Sequence, residues 1–170
     1  KIEHHAVLHS FEWLEDRGHE VTYLDVDESG FVDPEELRES LRDNTALVSI
    51  MYANNEIGTI EPIGELAEIA QNNGSLFHTD AVQAYGKFPL DLENVDLLSA
   101  SGHKIYGPKG VGLLYRRKGV DLEPLIHGGG HEQGLRSGTE NVPGIVGLGE
   151  ATELMDKEMN DESPRQASLR

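Results

Sequence analysis

Val7, Phe11 and Leu14 recur at helical spacing and Gly18 follows as a left-handed stop, so residues 4–17 are expected to form a helix. The next block, 20–26, alternates β-branched and aromatic residues with polar ones and breaks at Ser29-Gly30, which predicts a strand and a turn. A second helix is expected from Pro34, with Asp33 as N-cap, Glu36 at N3 as in a capping box, and Leu37 and Leu41 on one apolar face. The nearly continuous apolar run 46–52 reads as a strand covered on both faces, ending in the polar cluster Asn54-Asn55-Glu56. Pro62 opens a third helix with Ile63, Leu66, Ala67 and Ala70 on one side, stopped at Asn73-Gly74. Strands are then expected at 75–78, 95–99 and 111–115, with a helical turn over 81–86. A closing amphipathic helix spans 143–159, and the polar stretch 160–170 with its Pro164 reads as a frayed tail or the start of a linker.

Strands alternating with helices predict an α/β fold, a mostly parallel sheet with helices on both faces. Ligands of such sheets bind beyond the carboxyl ends of the strands. The polar residues at those ends are therefore the first candidates for a site. Asn55 follows one strand, Asp80 and Gln83 another, and Ser101, His103 and Lys104 a third.

Composition narrows the classes of partner. In 170 residues, 31 acidic against 14 basic side chains leave a net charge of −17, which argues against nucleic-acid backbones and anionic membranes as ligands. One domain is the natural reading for this length. No apolar run is long enough to span a bilayer. The opening Lys1-Ile2-Glu3-His4-His5 lacks a signal-peptide pattern and an initiator Met, so the chain is expected to begin mid-protein. With no cysteine, these residues contain no disulfide, thiolate metal site or cysteine nucleophile. His127-Gly128-Gly129-Gly130-His131 does not make a metal pair either, since three glycines hold no helical register and no further ligand completes the set; no metal is expected.

The densest chemistry lies in Ser101-Gly102-His103-Lys104-Ile105-Tyr106-Gly107-Pro108-Lys109-Gly110, where a backbone fixed by glycine and proline presents a lysine beside serine and histidine. Such an amine can form a Schiff base with a carbonyl cofactor, while the neighbouring hydroxyl, imidazole and amide groups can hold a phosphate. Lys109 is the rival lysine, without the adjoining pair. Asp80, directly after a strand, can pair with a pyridinium nitrogen or cap the turn that follows it. His4 and His5 offer flat rings that could stack on an aromatic cofactor, or they are surface histidines.

Taken in order, His4, Asn55, Asp80-Ala81-Val82-Gln83, the Ser101–Gly110 segment and the run from Gly128 to Asn141 resemble the cysteine desulfurases of the class V aminotransferase group, in the branch of nitrogen-fixation and housekeeping iron–sulfur enzymes. The resemblance runs from residue 1 to about 159. It implies a pyridoxal-phosphate enzyme of fold type I, with residues 1–159 as part of the cofactor-binding large domain and 160–170 as tail or linker. Lys104 would carry the cofactor as a Schiff base and move the substrate α-proton, Asp80 would pair with the ring nitrogen, and His4 would stack on the ring and share in the catalytic proton handling. Asn55 and Gln83 would bond around the phenolic oxygen, and Ser101 and His103 would bind the phosphate. Thr139 would reach the phosphate of the other subunit in a homodimer. The implied reaction takes sulfur from L-cysteine, leaving alanine and an enzyme persulfide for an iron–sulfur scaffold protein, in the cytoplasm. The persulfide cysteine, the substrate-carboxylate arginine and the remaining phosphate loop would lie outside these residues. The same cofactor residues suit a selenocysteine lyase or another class V lyase or aminotransferase, and a non-catalytic scaffold paralogue would also retain the fold.

Overall fold

A computed structural model describes residues 1–169. Four strands, β1 (Leu47–Ser49), β2 (Leu76–Asp80), β3 (Leu97–Ser101) and β4 (Gly112–Arg116), form one sheet in that order. The first three are parallel and β4 runs antiparallel to β3. The four helices are α1 (His5–Glu15), α2 (Pro34–Ser40), α3 (Ile63–Asn72) and α4 (Val142–Ser168). This is the expected α/β architecture with a mostly parallel sheet.

Alternation along the strands sorts the two faces. Val48, Ile50, Phe77, Leu98 and Ala100 point into the main core, where α3 contributes Ile63, Leu66, Ala67 and Ala70. Their neighbours Ser49, His78, Asp80, Ser99 and Ser101 face the other way. Polarity on that face follows directly from the period of two. α3 begins just after Pro62 and ends before Gly74, whose φ of +81° is the left-handed conformation that stops a helix.

Three expectations are corrected. Residues 20–26 form no strand, because no neighbour offers them a ladder. Leu24 O accepts from Lys1 N, Asp25 N donates to the Glu36 carboxylate, and a cavity of about 500 Å³ separates the segment from β1. That bond also undoes the expected capping box: Asp33 caps α2 by accepting from Glu35 N, as expected, but Glu36 reaches Asp25 instead of turning back to Asp33. Lastly, α4 does not stop at 159. It continues through Pro164 to Ser168, where the expectation was a frayed tail or linker. Proline removes one donor from the ladder, and this end of the helix is supported by the Glu162–Arg165 pair and by Ser163, which donates to the Lys87 carbonyl.

Candidate active site

β2 and β3 lie side by side and in register, Asp80 opposite Ser99, so Asp80 and Ser101 both stand at the carboxyl edge of the sheet. Beyond β3 the chain makes a short 3₁₀ turn, Gly102–Ile105, and this turn carries His103 and Lys104 outward while Ile105 is buried. Ile105 packs with Leu148 and Ala151 of α4, which anchors the lysine turn from behind. The backbone then reverses at Tyr106, a non-glycine residue at φ +63°, and Gly107 N donates to Gly102 O at 2.9 Å. A Cβ on Gly107 would sit 2.9 Å from that same oxygen and 3.2 Å from the Ala151 side chain, so only glycine lets the turn close against α4.

The turn after β2 is held in the same way. Tyr85 N and Ala84 N both donate to Ala81 O, and Gly86 takes φ +76° with its α-carbon against Ile105. This contact joins the Asp80–Lys87 segment to the lysine turn. Asp80 is nearly buried at 8% exposure; its Oδ1 accepts from Val82 N at 2.9 Å, and Oδ2 has no hydrogen bond among the described residues. One oxygen of Asp80 thus caps the turn, as the capping reading expects, and the other has no hydrogen bond among the described residues. Gln83 is half-buried, and its Oε1 accepts from Lys87 Nζ at 2.6 Å.

Two more segments join this edge. Asn54 is buried and fully engaged, its Nδ2 donating to Ile2 O and its Oδ1 accepting from Glu56 N and Ile57 N, whereas Asn55 is exposed. The fixed asparagine ties the loop to residues 2–4. His4 is the N-cap of α1, its Nδ1 accepting from Ala6 N at 3.1 Å, which leaves Nε2 outward. Ser101 Oγ and His103 Nδ1 are 2.7 Å apart at the mouth of the site. Thr139 is exposed on the stretch leading to α4, and no hydrogen bond among the described residues links it to the other seven candidates.

Three titratable neighbours escaped the sequence reading. His78, two residues before Asp80 and thus on the same face of β2, lies between Ser49 Oγ at 2.7 Å and Ser99 Oγ at 3.0 Å. Burial pushes its imidazole pKa below the ordinary range against the pull of Asp80, and the ring bridges serines of the two flanking strands. Lys87 was visible only as a lysine four residues after Gln83. Glu3, adjacent to His4, accepts from Met51 N through Oε1 while Oε2 is buried without a partner. Burial raises its pKa to about 7, opposed by the Met51 bond and assisted by the charges of Asp80 and Glu61.

A carboxyl whose folded-state pKa lies above its unfolded value binds more protons when folded, so its stabilising contribution is complete below about pH 4.5 and lost as pH rises through 7. Glu3→Gln is expected to match the parent in thermal melts at pH 4 and to exceed it at pH 8, by roughly 2–3 kcal/mol. Equal melting curves at pH 8 would refute the assignment.

The aminotransferase class-V family profile matches residues 1–169. The chain belongs to the class V aminotransferase family. Among curated members it is 60% identical to the cysteine desulfurase IscS of Methanosarcina thermophila, across 99% of this chain and 42% of that protein. It is 58% identical to the cysteine desulfurase IscS of Dictyoglomus turgidum, across 100% of this chain and 44% of that one. The chain thus spans less than half the length of these class V relatives. Among solved structures, a NifS-like protein superposes with a TM-score of 0.91 at 51% identity over 94% of this chain and 45% of its own. SspA in complex with cysteine superposes at 0.86 with 47% identity, over 89% and 45%.

The residues present fit pyridoxal phosphate on the chemistry of their donors. A nearly buried carboxylate with one free oxygen suits a protonated pyridine nitrogen, an outward amine on a rigid turn suits an aldehyde, and a hydroxyl–imidazole pair beside it suits a phosphate.

Proposed function

We propose that this chain forms the cofactor-binding part of a cytoplasmic, homodimeric cysteine desulfurase, which takes sulfur from L-cysteine and delivers it for iron–sulfur cluster assembly. The observation that carries this reading is the convergence of Asp80, Gln83, Ser101, His103 and Lys104 at one edge of two neighbouring parallel strands, within a chain so close to proteins named cysteine desulfurase.

Pyridoxal phosphate, when bound, supplies the electron sink that lets bonds at the substrate α- and β-carbons break. The protein supplies the rest. Lys104 Nζ would hold the cofactor's aldehyde and would move the substrate α-proton, a role suited to an amine on a turn locked by Gly107 and Ile105. Asp80 Oδ2 would pair with the ring nitrogen and favour its protonated form, and low exposure would strengthen that pair. His4 would stack on the cofactor's ring, Asn55 and Gln83 would bond around the phenolic oxygen, and Ser101 with His103 would hold the phosphate. The C–S bond of cysteine breaks and the sulfur passes to a thiolate, which becomes a persulfide while the carbon skeleton leaves as alanine. That thiolate comes from beyond these residues, which hold no cysteine. Thr139, exposed beside α4, would complete the phosphate site of the partner. Val142, Ile145 and Val146 support a second subunit there, because they expose an apolar stripe at i, i+3 and i+4.

The test is to load the full protein with pyridoxal phosphate, reduce with borohydride, and map the modified residue. A tag on Lys104, with alanine released from L-cysteine by the unreduced enzyme, is the expected outcome. A tag confined to Lys109, or cofactor retained without any covalent lysine, would overturn the reading.

A further inference from the structure

Lys87 has no role in the chemistry above, yet its ammonium lies 2.6 Å from Gln83 Oε1. An ammonium has three donors and no acceptor, so it accepts no other orientation of the carboxamide: the oxygen must face Lys87 and the Nε2 group must face away. The lysine is itself held in place. Its backbone N donates to Ala84 O at 3.0 Å, its carbonyl accepts from Ser163 of α4, and the preceding Gly86 rests on Ile105 of the lysine turn.

We propose that Lys87 is a positioning residue that fixes the Gln83 carboxamide, leaving only its Nε2–H donors available to the phenolic oxygen of pyridoxal phosphate. The inference rests on the cofactor reading above and adds a cause for the hydrogen bond's polarity. A free glutamine would present oxygen and nitrogen alike, and its oxygen would repel a phenolate. Turned by Lys87, the side chain can only stabilise the negative charge. Partial burial, and after it the charge of Lys104, pull the Lys87 pKa below the usual lysine range, so the two lysines share one neighbourhood at this edge.

The readout is the pH midpoint of the visible absorption band of the loaded full protein, which reports the proton shared between Lys104 Nζ and the phenolic oxygen. Losing a donor to that oxygen makes it more basic and moves the midpoint upward. Lys87→Met is expected to raise it by about one pH unit, the scale of one charge-assisted hydrogen bond, and Lys87→Arg to leave it within about 0.3 units. Gln83→Leu is expected to raise it alone, and Lys87→Met added to Gln83→Leu to change it by less than about 0.3 units. In the cofactor-free protein, the Gln83 side-chain amide resonance should move on Lys87→Met and stay near its place on Lys87→Arg.

An unmoved midpoint in Lys87→Met, with the band intact in the parent, would overturn this role and leave the cofactor reading standing. A full shift that persists on the Gln83→Leu background would also overturn it, since Lys87 would then act by charge alone. Absence of any band in the parent protein would sink both. Should Lys87→Met fail to fold, Lys87→Gln and the resonance of Gln83 decide the matter.

Discussion

Lys104→Ala is expected to abolish the visible band of the loaded protein and to lower alanine production from L-cysteine by on the order of 10⁴-fold or more, the scale seen when a covalent nucleophile is removed. Two jobs disappear together: the covalent hold on the aldehyde carbon and the base at the α-carbon. Binding should survive in weakened form, because Asp80, Gln83, Ser101 and His103 are untouched. The surrounding turn should keep its shape, since Lys104 is exposed and Ile105, not Lys104, is packed against α4. Circular dichroism and the melting temperature are therefore expected to match the parent. The decisive comparison is with Lys109→Ala, which should retain both band and activity; equal losses in the two variants would show that the wrong lysine has been given the role.

The second large effect concerns Asp80. Asp80→Asn keeps the size of the side chain and an oxygen that can accept from Val82 N, so the turn after β2 should stay closed. In the proposed site it removes the charge that would hold a proton on the pyridine nitrogen. Because the group is 8% exposed, water cannot replace that charge, and a loss of about 10²–10³ in turnover is expected, similar to removing a preorganised electrostatic partner elsewhere. A chemical complement separates this role from simple folding damage. In Asp80→Ala, a cofactor analogue methylated on the ring nitrogen carries a fixed positive charge and should recover part of the lost turnover. If Asp80→Asn turns over at the parental rate, the carboxylate is only a cap.

Much of the candidate site was legible in the chain because its signals are local. Ser101, His103 and Lys104 fall within four residues around Gly102, and Asp80 and Gln83 lie three residues apart, so neighbours in sequence already set their common neighbourhood. The caps follow the same logic, with Asp33 and Pro34 starting α2 and Gly74 closing α3 from short-range geometry alone. Glu3, His78 and Lys87 were not legible. Each matters through residues that meet it only after folding: Met51 and Asp80 for Glu3, serines on the two flanking strands for His78, and the charge of Lys104 for Lys87.

By itself, then, the order of residues determined the α/β class, all four helix starts to within a residue, the turn that presents Lys104 and the donors gathered around it. Those features depend on dihedral preferences, the periods of 3.6 and 2, and contacts a few residues apart. Tertiary structure decided the rest. Residues 20–26 have the pattern of a strand and are none, because a ladder needs a neighbour and a cavity stands where one would be. Glu36 has the position for a capping box and bonds Asp25 instead, a carboxylate choosing between two amide donors that only the fold brings together. α4 continues past the point where proline should have ended it, held at its far end by a serine bonded to the Lys87 carbonyl. The same lysine orients Gln83, so the polarity of that hydrogen bond, invisible in the letters, is a property of packed segments.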